Sequence, residues 1–233
     1  MKKSIKIIAL LAFMMLTCVA LDMITGENFS LVSLATAGIV LTDIPFEMGK
    51  PNGSGVGHYL YYCPLEDIAS WPTISDDMAT ATSDATYVGY TGDFTLKTGK
   101  TWIKIFNVQG EGVMTFEDMG EKCSKLFNNK LHYRFPKMTD AAIKKAKATV
   151  NVPGVYIAWH DGAYRVVGNK HYFGDTKISG TSGDSAGSSK GTTIDAECPD
   201  YTPLPVYSGD LALSDGTLDC STDVFTPTGS NAG

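Results

Sequence analysis

Apolar and polar residues alternate over short stretches through most of this chain, the two-residue period of strands that turn one face to a core. The clearest case is Val155, Ile157 and Trp159, which alternate up to Asp161-Gly162, with Tyr164 to Val167 following. An Asp-Gly pair suits a two-residue type I′ turn, so this stretch predicts a β-hairpin. His58 to Cys63, rich in aromatics, predicts a strand. Phe94 and Leu96 alternate with Asp93, Thr95 and Lys97. In Thr101 to Val108, Ile103 and Ile105 share one side while Trp102, Phe106 and Val108 share the other, which predicts a strand covered on both faces. Gly112 to Phe116, Thr192 to Glu197 and Asp210 to Leu213 predict further strands, and Asp215-Gly216 marks another turn.

A helical period breaks in twice. Thr115 and Asp118 resemble a capping box, and Met119, Cys123, Leu126 and Phe127 fall on one helical stripe, so a helix is predicted that ends at Asn128-Asn129. A second helix is predicted from Thr139 to about Thr149, with Ala142, Ile143 and Ala146 inward and the lysines outward. Its narrow apolar face places it at the rim. The expected class is mainly β with two short helices (α+β).

Residues 1–42 stand apart. Lys2, Lys3 and Lys6 precede an apolar run from Ile7 to Leu21 whose one polar member is Thr17, the pattern of an export signal. The run, about 15 residues, is shorter than the roughly 17–25 of a bilayer-spanning helix. Ala35-Thr36-Ala37 resembles a cleavage site but lies far from Leu21, and Met15-Leu16-Thr17 before Cys18 is a poor lipobox. A second apolar stretch, Phe29 to Thr42, follows Gly26-Glu27-Asn28. Residues 1–42 therefore read as a preceding apolar helical segment, whether signal, anchor or arm, and residues 5–42 are the candidate for membrane contact. Residues 43–233 read as one β-rich assembly or binding domain.

Composition narrows the function classes. With 43% hydrophobic and 19% charged residues in a chain of 233, the chain can bury a real core and is not disordered by composition. A net charge of −6 with no large basic block argues against sequence-specific nucleic-acid binding, which draws on clustered Lys and Arg. Lys144, Lys145 and Lys147 read as a solvated helix face. None of the five cysteines forms a CxxC pair, and no Cys or His has metal-ligand spacing to another. Leaving Cys18 aside, Cys63, Cys123, Cys198 and Cys220 could form two disulfides after export; they are read here as buried thiols.

Gly183-Asp184-Ser185-Ala186-Gly187 is the one motif suggesting catalysis. As the nucleophile elbow of an α/β-hydrolase it needs a histidine after the serine, and the last one is His171. As the Gly-Asp-Ser-Gly-Gly of a chymotrypsin-like protease it has His58, Asp118 and Ser185 in order. Against that, His58 sits in Val-Gly-His-Tyr, and a polar Ser188-Ser189-Lys190 follows where a buried strand should begin. Residues 179–191 read instead as a Gly/Ser loop between two strands. His160 beside Asp161 reads as a hairpin residue, and His132 and His171 lie by aromatics with no acid fixed by sequence. Asp76-Asp77 with Glu66 and Asp67 lacks calcium-loop spacing and reads as a solvated acidic loop. Trp71, Trp102 and Trp159 could line a sugar site, with burial the expectation for the last two. No catalytic, cofactor-binding or metal-ligating residue is assigned; no cofactor is expected, and a non-enzymatic role is.

Gly154 to Gly209 runs hairpin, a strand ending Arg165-Val166-Val167-Gly168, an extended run to Ile178, the loop Ser179-Gly180-Thr181-Ser182-Gly183-Asp184, a strand, then Pro203-Leu204-Pro205-Val206-Tyr207. This order resembles the C-terminal half of the major tail-tube proteins of tailed bacteriophages. Ile44-Pro45-Phe46-Glu47-Met48-Gly49 resembles the opening of such virion proteins. The resemblance implies a β-sandwich or open barrel flanked by a helix, and a virion protein whose subunits form rings that stack into a tube. It also implies contact with other virion proteins and edge strands that pair between subunits. The apolar N-terminus departs from that family. It keeps open an exported, membrane-anchored β-domain of the bacterial cell envelope that binds a surface ligand or protein partner.

Overall fold

The computed structural model describes Ile44, Met48 and residues 53–75, 87–185 and 188–229. The expectations for residues 1–42, including the apolar helical segment, lie outside the described residues, as does Asp76-Asp77. Among the described residues no helix is long and apolar enough to cross a membrane.

The chain is mainly β. In order come β1 (Tyr59–Pro64), β2 (Ile68–Ser70), β3 (Thr73–Ile74), β4 (Gly89–Thr91), β5 (Thr95–Leu96), β6 (Ile103–Phe106), β7 (Val113–Met119) and β8 (Leu126–Phe135). Helix α1 (Asp140–Ala148) is followed by β9 (Gly154–His160), β10 (Ala163–Val167), β11 (Asp175–Thr181) and β12 (Gly191–Asp200). The chain closes with β13 (Val206–Tyr207), β14 (Asp210–Ala212), β15 (Gly216–Asp219) and β16 (Val224–Pro227). A seven-stranded sheet runs β3-β4-β13-β10-β9-β1-β6, a four-stranded sheet β11-β12-β8-β7, and a three-stranded sheet β14-β15-β16, while β2 pairs with β5. None closes into a barrel.

The seven-stranded sheet lies between two cores because its central strands β1, β9 and β10 are apolar on both faces. Along β1, Tyr61 and Cys63 enter one core and Leu60 and Tyr62 the other. On the first face Val155, Ile157 and Tyr164 pack with Trp102 and with Leu211, Leu213 and Leu218 from the three-stranded sheet region. On the second, Tyr156, Ala158 and Val167 pack with Met114, Leu131, Tyr133 and Ile194 of the four-stranded sheet. The β9–β10 hairpin forms as expected, with Asp161 and Gly162 both left-handed at φ 49° and 77°.

Three expectations are corrected. Residues 115–127 are not helical: β7 runs to Met119, turns through residues 120–125 and returns as β8. Gly120 (φ 96°) and Cys123 (φ 68°) take left-handed conformations that a helix excludes. Asn129 does not end a helix but is buried in β8, where it bonds Thr202 O and Leu204 N. That leaves α1 as the one α-helix lying wholly within the described residues. Its N-cap is Thr139, whose side chain accepts from Ala142 N. Its inward side differs from the expectation, because Ile143 is 51% exposed while Lys145 turns in beside Ala142 and Ala146. The stripe 142, 145, 146 and 149 has proper helical spacing, and Lys145 joins it through its aliphatic stem. Finally, β6 is the edge of its sheet, so Ile103 and Phe106 stay 42% and 43% exposed instead of covered.

Candidate functional site

Two surface features among the described residues bear on function. The first is a pair of open sheet edges. β6 ends the seven-stranded sheet and β7 ends the four-stranded one, and the two strands are consecutive in the chain. β6 exposes Ile103 and Phe106, and β7 exposes Val113, Phe116 and Met119. Because Asn107 N bonds His58 O, antiparallel alternation leaves the backbone groups of Lys104 and Phe106 directed away from β1.

The second feature is an aromatic cleft of about 650 Å³ where the seven-stranded and three-stranded sheets diverge. Its floor is Tyr61 and Tyr164, both buried. Tyr59, Trp159 and Phe225, all partly exposed, supply the walls. Position along the strand explains the opening: Val155 and Ile157, on the same face of β9, are wholly buried, whereas Trp159 lies near the strand end and is 38% exposed. The expectation that Trp159 is core is therefore corrected, while Trp102 is buried as expected. Trp71 is half-buried, edge-on to Phe94 at 5.0 Å.

Two charges are fixed at this cleft. The Lys104 ammonium lies 4.3 Å from the Tyr59 ring centroid and 5.3 Å from that of Phe225, held by the negative ring faces. Asp223 accepts a 2.5 Å hydrogen bond from the Tyr164 hydroxyl. Burial, reinforced by that bond to Asp223, raises the Tyr164 phenol above its ordinary range, so it stays a donor. Asp223 itself is left-handed at φ 57°. Its loop is pinned by Asp219, which accepts from the backbone and side chains of Ser221 and Thr222. Those bonds hold the Asp219 carboxyl down to about 2.

The residues weighed for catalysis are given separate partners. Ser185 is exposed, 2.7 Å from Ser188 Oγ; His58 stacks on Phe106; and Asp118 is paired with Lys125 at 2.7 Å. His160 donates from Nδ1 to Gly55 O at 2.7 Å, as a hairpin residue would. His132 gains a partner that sequence spacing could not supply, donating to Asp195, its cross-strand neighbour on β12, at 2.5 Å. His171 lies in the turn after β10, not in a strand, with its backbone N donating to Asn169 Oδ1. Asp67 is engaged by Lys100 at 2.9 Å. Cys63, Cys198 and Cys220 are buried free thiols, and Cys123 is a free thiol exposed in the β7–β8 turn. Among the described residues no group of His, Cys, Asp and Glu is placed to hold a metal ion.

Sequence reasoning missed the cleft because Phe225 and Asp223 come from the β15–β16 hairpin, which no alternation announced. The turn-forming run Asp219-Cys220-Ser221-Thr222-Asp223 was the available signal. Fold and surface together define a mainly β protein of several sheets, none closed into a barrel, with exposed sheet edges and an aromatic cleft between Tyr59, Trp159 and Phe225. Comparison with known proteins finds no matching family model, no similar curated protein and no similar solved structure.

Proposed function

We propose that this chain is a structural protein that works by assembling with copies of itself, tail-tube-like and part of a virion, and not by bond-making chemistry. The observation that carries the reading is the pair of consecutive open edges, β6 and β7, which expose Ile103, Phe106, Val113 and Phe116. Folded proteins blunt such edges with charge, proline or cover unless another chain pairs with them. Here Lys104, the one charged residue of β6, folds over Tyr59 and Phe225 and leaves the edge apolar.

The test is the mass and shape of the purified full chain by light scattering and negative-stain microscopy. Rings or tubes are expected. The double substitution Val113→Lys with Phe116→Lys should return monomers with a thermal midpoint close to wild type, since both side chains are about half exposed on the β7 edge. A wild-type protein that stays monomeric at every concentration tested ends this reading. A second reading, an exported β-domain that binds a surface ligand, is favoured by the aromatic cleft; it predicts a monomer that fractionates with membranes.

A further inference from the structure

We propose that the cleft between Tyr59, Trp159 and Phe225 is a binding site for a neutral saccharide. The inference is independent of self-assembly through β6 and β7.

Three aromatic side chains are partly exposed at one place, each leaving apolar area in water at a cost of about 25 cal/mol per Å². Scattered exposed apolar residues need no explanation, but convergent ones do. Each ring has few rotatable bonds, and Tyr59 and Phe225 are already braced by the shared Lys104 ammonium. A ligand meeting them therefore orders little that is not already ordered. Flat rings of this kind match a partner with flat C–H faces.

The polar groups decide the class. Asp223 offers an acceptor, held in place by Tyr164, and Lys104 offers only donors. An anionic ligand meets the Asp223 carboxylate and a cationic one meets the Lys104 ammonium, so fixed charges of both signs select against either. Sugar hydroxyls donate and accept, and so satisfy both groups without bringing a charge. Gln109, also at the cleft, adds a group that does both. A volume of about 650 Å³ lies in the usual range for a small-ligand site and accommodates a short oligosaccharide. Nucleic acid, which also stacks on aromatic rings, is disfavoured by Asp223 and by the net charge of −6.

The full chain is screened against immobilised neutral oligosaccharides, including cellotriose, maltotriose and N-acetylchitotriose. Any hit is then titrated by tryptophan fluorescence. Saturable binding to at least one neutral sugar is expected, weakened at least tenfold by Trp159→Ala and by Asp223→Ala. Phe225→Ala serves as a third probe should Trp159→Ala fold poorly by circular dichroism. Binding to no neutral sugar overturns the proposal, as does binding that survives all three substitutions. Preference for tetramethylammonium, oligogalacturonate or single-stranded DNA over every neutral sugar overturns it too. Repeating the titration on Val113→Lys with Phe116→Lys separates the two ideas, since both side chains lie on β7 away from the cleft and loss of rings should leave sugar binding intact.

Discussion

Lys145 shows how one side chain sets a pH dependence. Its ammonium lies 4.8 Å from the Tyr62 ring centroid with no hydrogen-bond partner, and burial lowers its pKa from 10.5 to about 8. Between those values the unfolded chain binds a proton that the folded chain does not, so this group makes stability rise with pH there. Below pH 8 its penalty is complete, on the order of 3 kcal/mol before the attraction of the ring is counted. Buried thiols act the other way: Cys63 and Cys198 are pushed up from 9.0 to about 12, mainly by burial, so above pH 9 the unfolded chain ionises first and stability falls. The difference between wild type and Lys145→Met cancels those thiols. Urea unfolding should show the variant more stable at pH 7 by roughly 1–3 kcal/mol, with the advantage vanishing towards pH 10.5. An advantage that is absent at pH 7, or that does not shrink with pH, would count against a buried amine. The residue was legible as helical but not as inward, because hydropathy treats a lysine as its charge and ignores a stem long enough to line a core.

At the scale of elements, legibility followed how local the determining interaction was. The β9–β10 hairpin was readable because its turn chemistry, Asp161-Gly162, is contained within it. The β7–β8 hairpin was not, since Met119, Cys123, Leu126 and Phe127 happen to match a helical stripe. Its pairing with β12 involves partners about 60 to 70 positions away, which no local window contains. Likewise β6 has the two-sided apolar pattern of a central strand, yet it is an edge, a fact that only topology decides. The sign of one substitution separates the two readings of residues 115–127. In a helix interior Gly120→Ala stabilises by about 1 kcal/mol. In the hairpin seen here Gly120 has φ 96°, and an added Cβ would fall 2.0 Å from the Ser124 carbonyl oxygen. Gly120→Ala should therefore destabilise by more than about 1 kcal/mol in chemical denaturation, with Gly110→Ala as a control that shares the positive φ but has open space around it.

For the whole molecule the consequence of a two-faced central sheet is mechanical unity. Each strand of β1 and β9 contributes alternate residues to both cores, so neither core can be lost while the other keeps its wall. Trp71 and Trp102 pack in the core bounded by the three-stranded sheet, and Trp159 lies near the end of the same face, so tryptophan emission reports on that side. Leu131, buried in β8, belongs to the opposite core. Removing its side chain by Leu131→Ala should cost about 2–5 kcal/mol, as large-to-small changes at well-packed sites do. If the two cores share one fate, the fluorescence midpoint should fall together with the far-ultraviolet circular dichroism midpoint, although no tryptophan is in the core that was altered. Leu211→Ala, in the tryptophan-bearing core, should shift both signals in the same way. Splitting of the two transitions in Leu131→Ala would mean that the four-stranded sheet unfolds alone. The open edges of β6 and β7 would then belong to separately folding halves, and a chain that pairs through both at once would need each half folded before it could assemble.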